Sequence, residues 1–203
     1  PCATMNLGRN SDDDPAALAE NQRRFAAFLP GKPAWLRQVH GAAVARLTRT
    51  ASAAPVADAA VATERGVVCA ILPADCLPVL FADRAGTAVG IAHAGWRGLA
   101  AGVVEATLAA LRDLGAQPAD VVVWLGPAIG PAAFEVGDEV RDAFCAPDPG
   151  AAACFVPHRA GKWHADLYGL ARRRLARLGV TRVDGGDFCT YTDAGRFYSY
   201  RRD

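Results

Sequence analysis

At 203 residues, with 52% hydrophobic and 21% charged side chains, the chain is too apolar to be disordered and long enough for one domain with a substantial core. Lysine and arginine number 22 against 21 acidic residues, a net charge of +1 with no basic block, so neither nucleic acid nor an anionic membrane is the expected partner. No apolar run reaches the roughly 18 residues of a membrane span. Six scattered cysteines (Cys2, Cys69, Cys76, Cys145, Cys154 and Cys189) form no CxxC pair and read as free thiols of a cytoplasmic protein.

The first element announced by the sequence is a helix. Asp14 can cap it, Pro15 suits its first position, Leu18, Phe25, Phe28 and Leu29 form its apolar stripe, and Pro30-Gly31 ends it. Residues 35–40, Trp35 to His40, alternate like a strand that ends in His40-Gly41. Residues 42–56 read as a strand followed by a loop, and Asp58 to Thr63 lead into a buried strand over residues 66–72. Pro73-Ala74-Asp75-Cys76-Leu77-Pro78 interrupts the apolar pattern, which resumes over residues 79–83, so Cys76 is expected in a constrained bend between two buried strands. Ala88 to Ala92 is strand-like and delivers His93 to a turn, His93-Ala94-Gly95-Trp96-Arg97-Gly98. The periodicity of Leu99, Val103, Thr107, Leu108, Leu111 and Leu114 predicts a helix over 99–114 whose start, with Gly95 and Gly98, favours an anion. A strand over 120–125, an irregular Gly/Pro stretch over 126–131, a short helix over 136–144 and a surface loop over 146–153 follow. Asp166 can cap a last helix carrying Leu167, Leu170, Leu175 and Leu178, stopped by Gly179, with Arg172, Arg173 and Arg177 on its other face. Residues 180–183 and 197–200 read as closing strands, and nothing in the sequence marks a repeat, linker or second-domain boundary.

Three of these stretches break a strand at a chemically capable residue: His40-Gly41, Asp75-Cys76 and His93-Ala94-Gly95. Two imidazoles and a thiolate make a three-ligand zinc site whose fourth position is left for water or substrate, a count that suits catalysis rather than a structural role. Spacing alone leaves the alternative open: a buried structural cysteine with two unrelated histidines.

The motifs Gln38-Val39-His40-Gly41, Ala74-Asp75-Cys76-Leu77-Pro78-Val79 and His93-Ala94-Gly95-Trp96-Arg97-Gly98 together resemble the signature of the YfiH family. Its members have also been called laccase-domain proteins, polyphenol oxidases, peptidoglycan editing factor and purine nucleoside phosphorylases. Met5-Asn6-Leu7-Gly8, the 125–131 stretch, Phe134-Glu135-Val136-Gly137 and Tyr198-Ser199-Tyr200-Arg201-Arg202 extend the resemblance over nearly the whole chain, read as a single domain over 1–203 with both ends trimmed. The resemblance implies an α+β fold, one layered domain of mixed β-sheets flanked by helices, similar to a toxin-type cysteine deamidase. It also implies zinc bound by His40, Cys76 and His93. The implied chemistry is phosphorolysis of adenosine, inosine or methylthioadenosine, with hydrolytic deamination of adenosine at the same site. Asp75 is then a candidate for orienting a ligand or shuttling a proton, or simply a cap on its turn. Arg97 and Arg201 are candidate phosphate clamps, or plain salt-bridge partners. A metal-free cysteine hydrolase using Cys76 as nucleophile and His93 as base is the competing class, and peptidoglycan-precursor editing the competing role. Multicopper oxidation needs more imidazoles than His40, His93, His158 and His164 provide. The H-x-E and P-C-x-x-C signature of zinc deaminases is absent. The oligomeric state is left open.

Overall fold

Asp14 does cap the first helix: its carboxylate accepts the Ala16 N–H, and Pro15 opens α1 (Pro15–Ala26). This computed structural model describes residues 5–8, 12–50 and 54–203, so Cys2 lies outside the described residues. Leu18, Phe25 and Leu29 of the expected stripe are half-buried, while Phe28 is exposed. Phe25 meets the Trp35 ring at 6.0 Å between centroids. The helix therefore lies over the edge of the molecule rather than in its core.

The remaining elements, in chain order, are β1 (Pro33–Trp35), β2 (Val44–Arg46), β3 (Ala59–Ala62), β4 (Val68–Ala70), β5 (Leu77–Asp83) and β6 (Val89–Ala94). Then come α2 (Trp96–Ala100), α3 (Val103–Arg112), β7 (Val121–Leu125), β8 (Glu135–Gly137) and α4 (Asp138–Cys145). Last are β9 (Phe155–Arg159), β10 (Lys162–Ala165), α5 (Leu167–Arg177) and β11 (Arg182–Gly185). Six strands form the central sheet in the order β11-β7-β5-β6-β3-β2, parallel at its two outer pairs and antiparallel within. A parallel pair β1-β4 and an antiparallel sheet β8-β10-β9 complete an α+β architecture of mixed sheets flanked by helices.

The main core joins one face of the central sheet to the helices. Val61, Leu77, Val79, Val121, Val123 and Leu125 meet Leu99, Val103, Val104, Leu108, Leu111, Leu167 and Leu175. Each such aliphatic side chain contributes about 1.5–3 kcal/mol when fully withdrawn from water. A second, smaller core of Leu36, Leu47, Ala57, Ala60, Ala62 and Ile71 lies outside that cluster, with Ala34 and Cys69 of the β1-β4 pair packed against it. Alternation explains the division: Ala59 and Val61 join the main core and Ala60 and Ala62 the small one, which makes all of β3 buried.

Several elements differ from the sequence expectation. The single helix over 99–114 is two, α2 and α3, separated at Gly102, whose φ of 90° is left-handed. Residues 35–40 do not stay extended: β1 stops at Trp35, Arg37 makes an isolated bridge to Val56, and His40 sits at φ 59°. The strand expected over 66–72 shortens to β4, and the loop over 146–153 contains a 3₁₀ turn, Pro149–Cys154, with Ala151 buried. The β9-β10 hairpin, turning through Gly161 at φ 65°, lies where the sequence offered no assignment. Residues 197–200 form no strand. Asp75 accepts the Ser199 hydroxyl and the Arg201 N–H, and the Arg202 guanidinium donates to the carbonyls of Thr190, Tyr191 and Phe197. Those bonds wrap the segment into turns around one carboxylate.

Candidate metal centre

His93 is delivered by β6 and Cys76 by the residue before β5, and the antiparallel register that pairs Leu77 with Ala94 puts them at the same end of the sheet. His40 comes from the irregular segment after β1. Gln38 fixes that segment by a two-way amide clamp on the chain leading to Cys76: its Nε2 donates to the Leu72 carbonyl and its Oε1 accepts the Leu72 N–H. The ligand atoms of His40, Cys76 and His93 all lie within 4.8 Å of one another. Cys76 Sγ is 3.9 Å from His40 Nε2, and the two imidazoles meet edge-on at 4.8 Å between centroids. His93 is buried, Cys76 half-buried and His40 exposed, so the cluster has a dry side and a wet side.

The glycines of this region are shaped by those ligands. A Cβ on Gly95 would stand 2.7 Å from Cys76 Sγ and 3.2 Å from His40 Cδ2. A Cβ on Gly98 would stand 2.9 Å from the Gly41 carbonyl and 3.2 Å from that of His93. Gly98 is buried, and the helix that Gly95 opens spans only Trp96–Ala100.

Asp58 is the residue the sequence reading missed. Fully buried at the head of β3, it bonds His93 Nδ1 through Oδ1 at 2.9 Å and accepts the backbone N–H groups of Val39, His40 and Gly41. Burial alone would raise its pKa; the bonds from His93, Gly41, Val39 and His40 outweigh that and hold the carboxyl below its ordinary range. The available signal was an acidic residue inside an otherwise unbroken apolar run, Val56 to Ala62.

Burial also lowers the His93 pKa, against the pull of Asp58, which favours the neutral ring that metal binding requires. Burial and the nearby carboxylates of Asp75 and Asp58 push the Cys76 thiol up to about 11, with Arg97 pulling the other way. A bare thiol there is protonated at neutral pH; a coordinated cation reverses that. Two imidazoles and one sulfur, with an outer carboxylate on one imidazole, fit a transition-metal ion.

The other expected residues are placed differently. Asp75 adjoins Cys76 at φ 75°, and both its carboxylate oxygens are engaged, Oδ1 by the Thr190 hydroxyl and Oδ2 by Ser199 and the Arg201 N–H. Arg97 is exposed, with its guanidinium 4.5 Å from the Trp96 ring centroid. Arg201 donates to the Glu135 carbonyl and lies 5.8 Å from the centre of the Phe134 ring. His158 and His164 stack on each other across the β9-β10 hairpin at 4.2 Å, with His158 Nε2 3.4 Å from Glu135, and they do not join the cluster. Among the described residues, His40, Cys76 and His93 are the one group of three or more such side chains close enough to share an ion.

Over residues 1–203 the chain matches the family model described as multi-copper polyphenol oxidoreductase laccase. The purine nucleoside phosphorylase YfiH of Escherichia coli (strain K12) is 53% identical over 205 residues, spanning 100% of this chain and 83% of that protein. A crystal structure of a Neisseria meningitidis protein, 47% identical, superposes with a TM-score of 0.94 and covers 98% of this chain and 81% of its own. YlmD from Geobacillus stearothermophilus, at 32% identity, gives a TM-score of 0.89 over 98% of this chain and 80% of its own. With the three signature motifs gathered at one end of its central sheet, the chain belongs to the YfiH family, the one that the laccase-domain model describes.

Proposed function

We propose that this chain is a zinc-dependent purine nucleoside phosphorylase, acting on adenosine, inosine and methylthioadenosine, and that the same site deaminates adenosine. The observation that carries the proposal is the convergence of two imidazole nitrogens and one sulfur within 4.8 Å, open on the His40 side. The substrate class is supported by relatives such as the Escherichia coli protein, named a purine nucleoside phosphorylase. Zinc held by His40, Cys76 and His93 would supply a Lewis acid for the reacting oxygen of phosphate or water. Free cysteines throughout the described residues agree with a cytoplasmic setting.

The protein's own groups have separable tasks. Arg97 brings a positive charge close enough to be felt at Cys76, and we assign it to the phosphate. Arg201, exposed and anchored through one nitrogen to the Glu135 carbonyl, is the second candidate for that anion. Asp75, with both oxygens bonded, orients the Cys76 bend.

One observation favours a second reading. The Asp58–His93 pair also resembles the oriented base of a cysteine hydrolase, with Cys76 as nucleophile. A thiol raised to about 11 is poorly suited to that task without a cation. Arg97→Ala separates the roles: it should raise the phosphate KM at least tenfold while leaving nucleoside KM within about twofold. Unchanged phosphate dependence with weakened nucleoside binding would contradict the Arg97 assignment. Full activity after chelation, with an electrophilic substrate analogue trapped on Cys76, would establish the hydrolase instead.

A further inference from the structure

We propose that Asp58 is the positioning residue of the centre: a single buried carboxylate that fixes both histidines at once, His93 through its ring and His40 through its backbone. The inference rests on the metal-site reading and concerns how this chain prepares for the ion.

The two histidines arrive from unrelated segments, 53 positions apart in sequence. His40 has a left-handed φ of 59°, a conformation that is unfavourable for a non-glycine residue and needs a compensating partner. Asp58 is that partner. The N–H groups of Val39, His40 and Gly41, three in succession, converge on its two oxygens at 3.1, 2.9 and 2.7 Å. A Cβ on Gly41 would lie 3.5 Å from Asp58 Oδ2, so the loop closes on the carboxylate at van der Waals distance.

On its other side Asp58 faces His93. Their strands pair antiparallel with Ala59 opposite Ala92, and the His93 N–H donates to the Asp58 carbonyl at 2.7 Å. The side chains repeat that pairing through Nδ1 and Oδ1 at 2.9 Å. An ionised carboxylate only accepts, so Nδ1 carries the proton and Nε2 is left with its lone pair free for a metal. Asp58 thus selects the tautomer of one ligand and the backbone of the other. Asparagine keeps the shape but replaces one acceptor oxygen with an NH₂ facing backbone donors.

The test compares wild type, Asp58→Asn and the control Gly102→Ala, which strains a helix junction without touching the centre. In metal-free protein, long-range ¹H–¹⁵N correlation of labelled histidine should show His93 as the Nδ1–H tautomer in wild type and Gly102→Ala, and lose that fixed state in Asp58→Asn. Competition with a chromophoric zinc chelator should show affinity about 10–100-fold weaker in Asp58→Asn alone. A merely structural role would instead lower the unfolding midpoint of both variants while folded Asp58→Asn kept the Nδ1–H tautomer. A wild-type His93 protonated on Nε2 overturns the inference, and that result needs no variant to fold. So does a folded Asp58→Asn that binds zinc within twofold of wild type. Wild type with the Nδ1–H tautomer that takes up no zinc would sink the metal reading and leave the Asp58 assignment standing.

Discussion

Gly95 has no side chain because Cys76 occupies the space one would need, the Sγ lying 2.7 Å from an ideal Cβ. The backbone there is extended, at φ −61°, so alanine is conformationally acceptable and its effect is purely one of contact. Gly95→Ala should therefore displace the thiol, weakening zinc binding at least tenfold while thermal unfolding moves little. Equal zinc content in wild type and variant would show that Cys76 is not held against this turn. The three donors were legible in the sequence because each ends or interrupts an apolar run. Asp58 was not legible as a partner, because its bonds reach residues 17–19 and 35 positions away and only the fold brings them together. Gln38 was visible within its motif, but its clamp on Leu72 depends on two segments 34 positions apart.

Helical periodicity ran correctly through Leu99, Val103, Leu108 and Leu111, all buried, yet it concealed the break at Gly102 because side-chain spacing carries no record of one left-handed residue. Gly102→Ala should cost about 1–2 kcal/mol of stability by denaturant unfolding, from forcing a Cβ into that conformation. The tail is the converse case. Phe197-Tyr198-Ser199-Tyr200 has strand-like composition, but the buried Asp75 carboxylate competes for its hydrogen-bonding groups and wins. Asp75→Ala leaves the Thr190 and Ser199 hydroxyls and the Arg201 N–H without that acceptor. A loss of about 1–3 kcal/mol is expected, with hydrogen exchange accelerated across residues 190–203. Unchanged exchange there would mean that Asp75 does not tie the tail to the Cys76 bend.

Across the whole molecule, individual strands and helices were legible from their patterns and the family resemblance implied mixed sheets flanked by helices, while the pairing order and the second core came only from register. Charge contributes at the surface where the 3₁₀ turn meets α5. Asp148 is held at about 2 by its hydrogen bond to Arg173, with Arg177 adding to the effect. A depressed carboxyl stabilises the fold above the unfolded value of about 4 and loses that contribution as pH falls through the folded value. The gap in urea midpoint between wild type and Asp148→Asn should be full above about pH 5, shrink as pH falls through about 4, and close only below about pH 2. A gap independent of pH would show that the ion pair carries none of it. The proposed function depends on the end of the central sheet where His40, Cys76 and His93 meet. The most direct measurement is a zinc titration of metal-depleted protein, following bound zinc and adenine released from adenosine together at fixed phosphate. The account predicts adenine formation that rises in proportion to zinc up to one ion per chain and stops there, with Cys76→Ser binding no zinc and releasing no adenine. Adenine release at full rate in the depleted protein, or a zinc-loaded protein that turns over no purine nucleoside at any phosphate concentration, would contradict it.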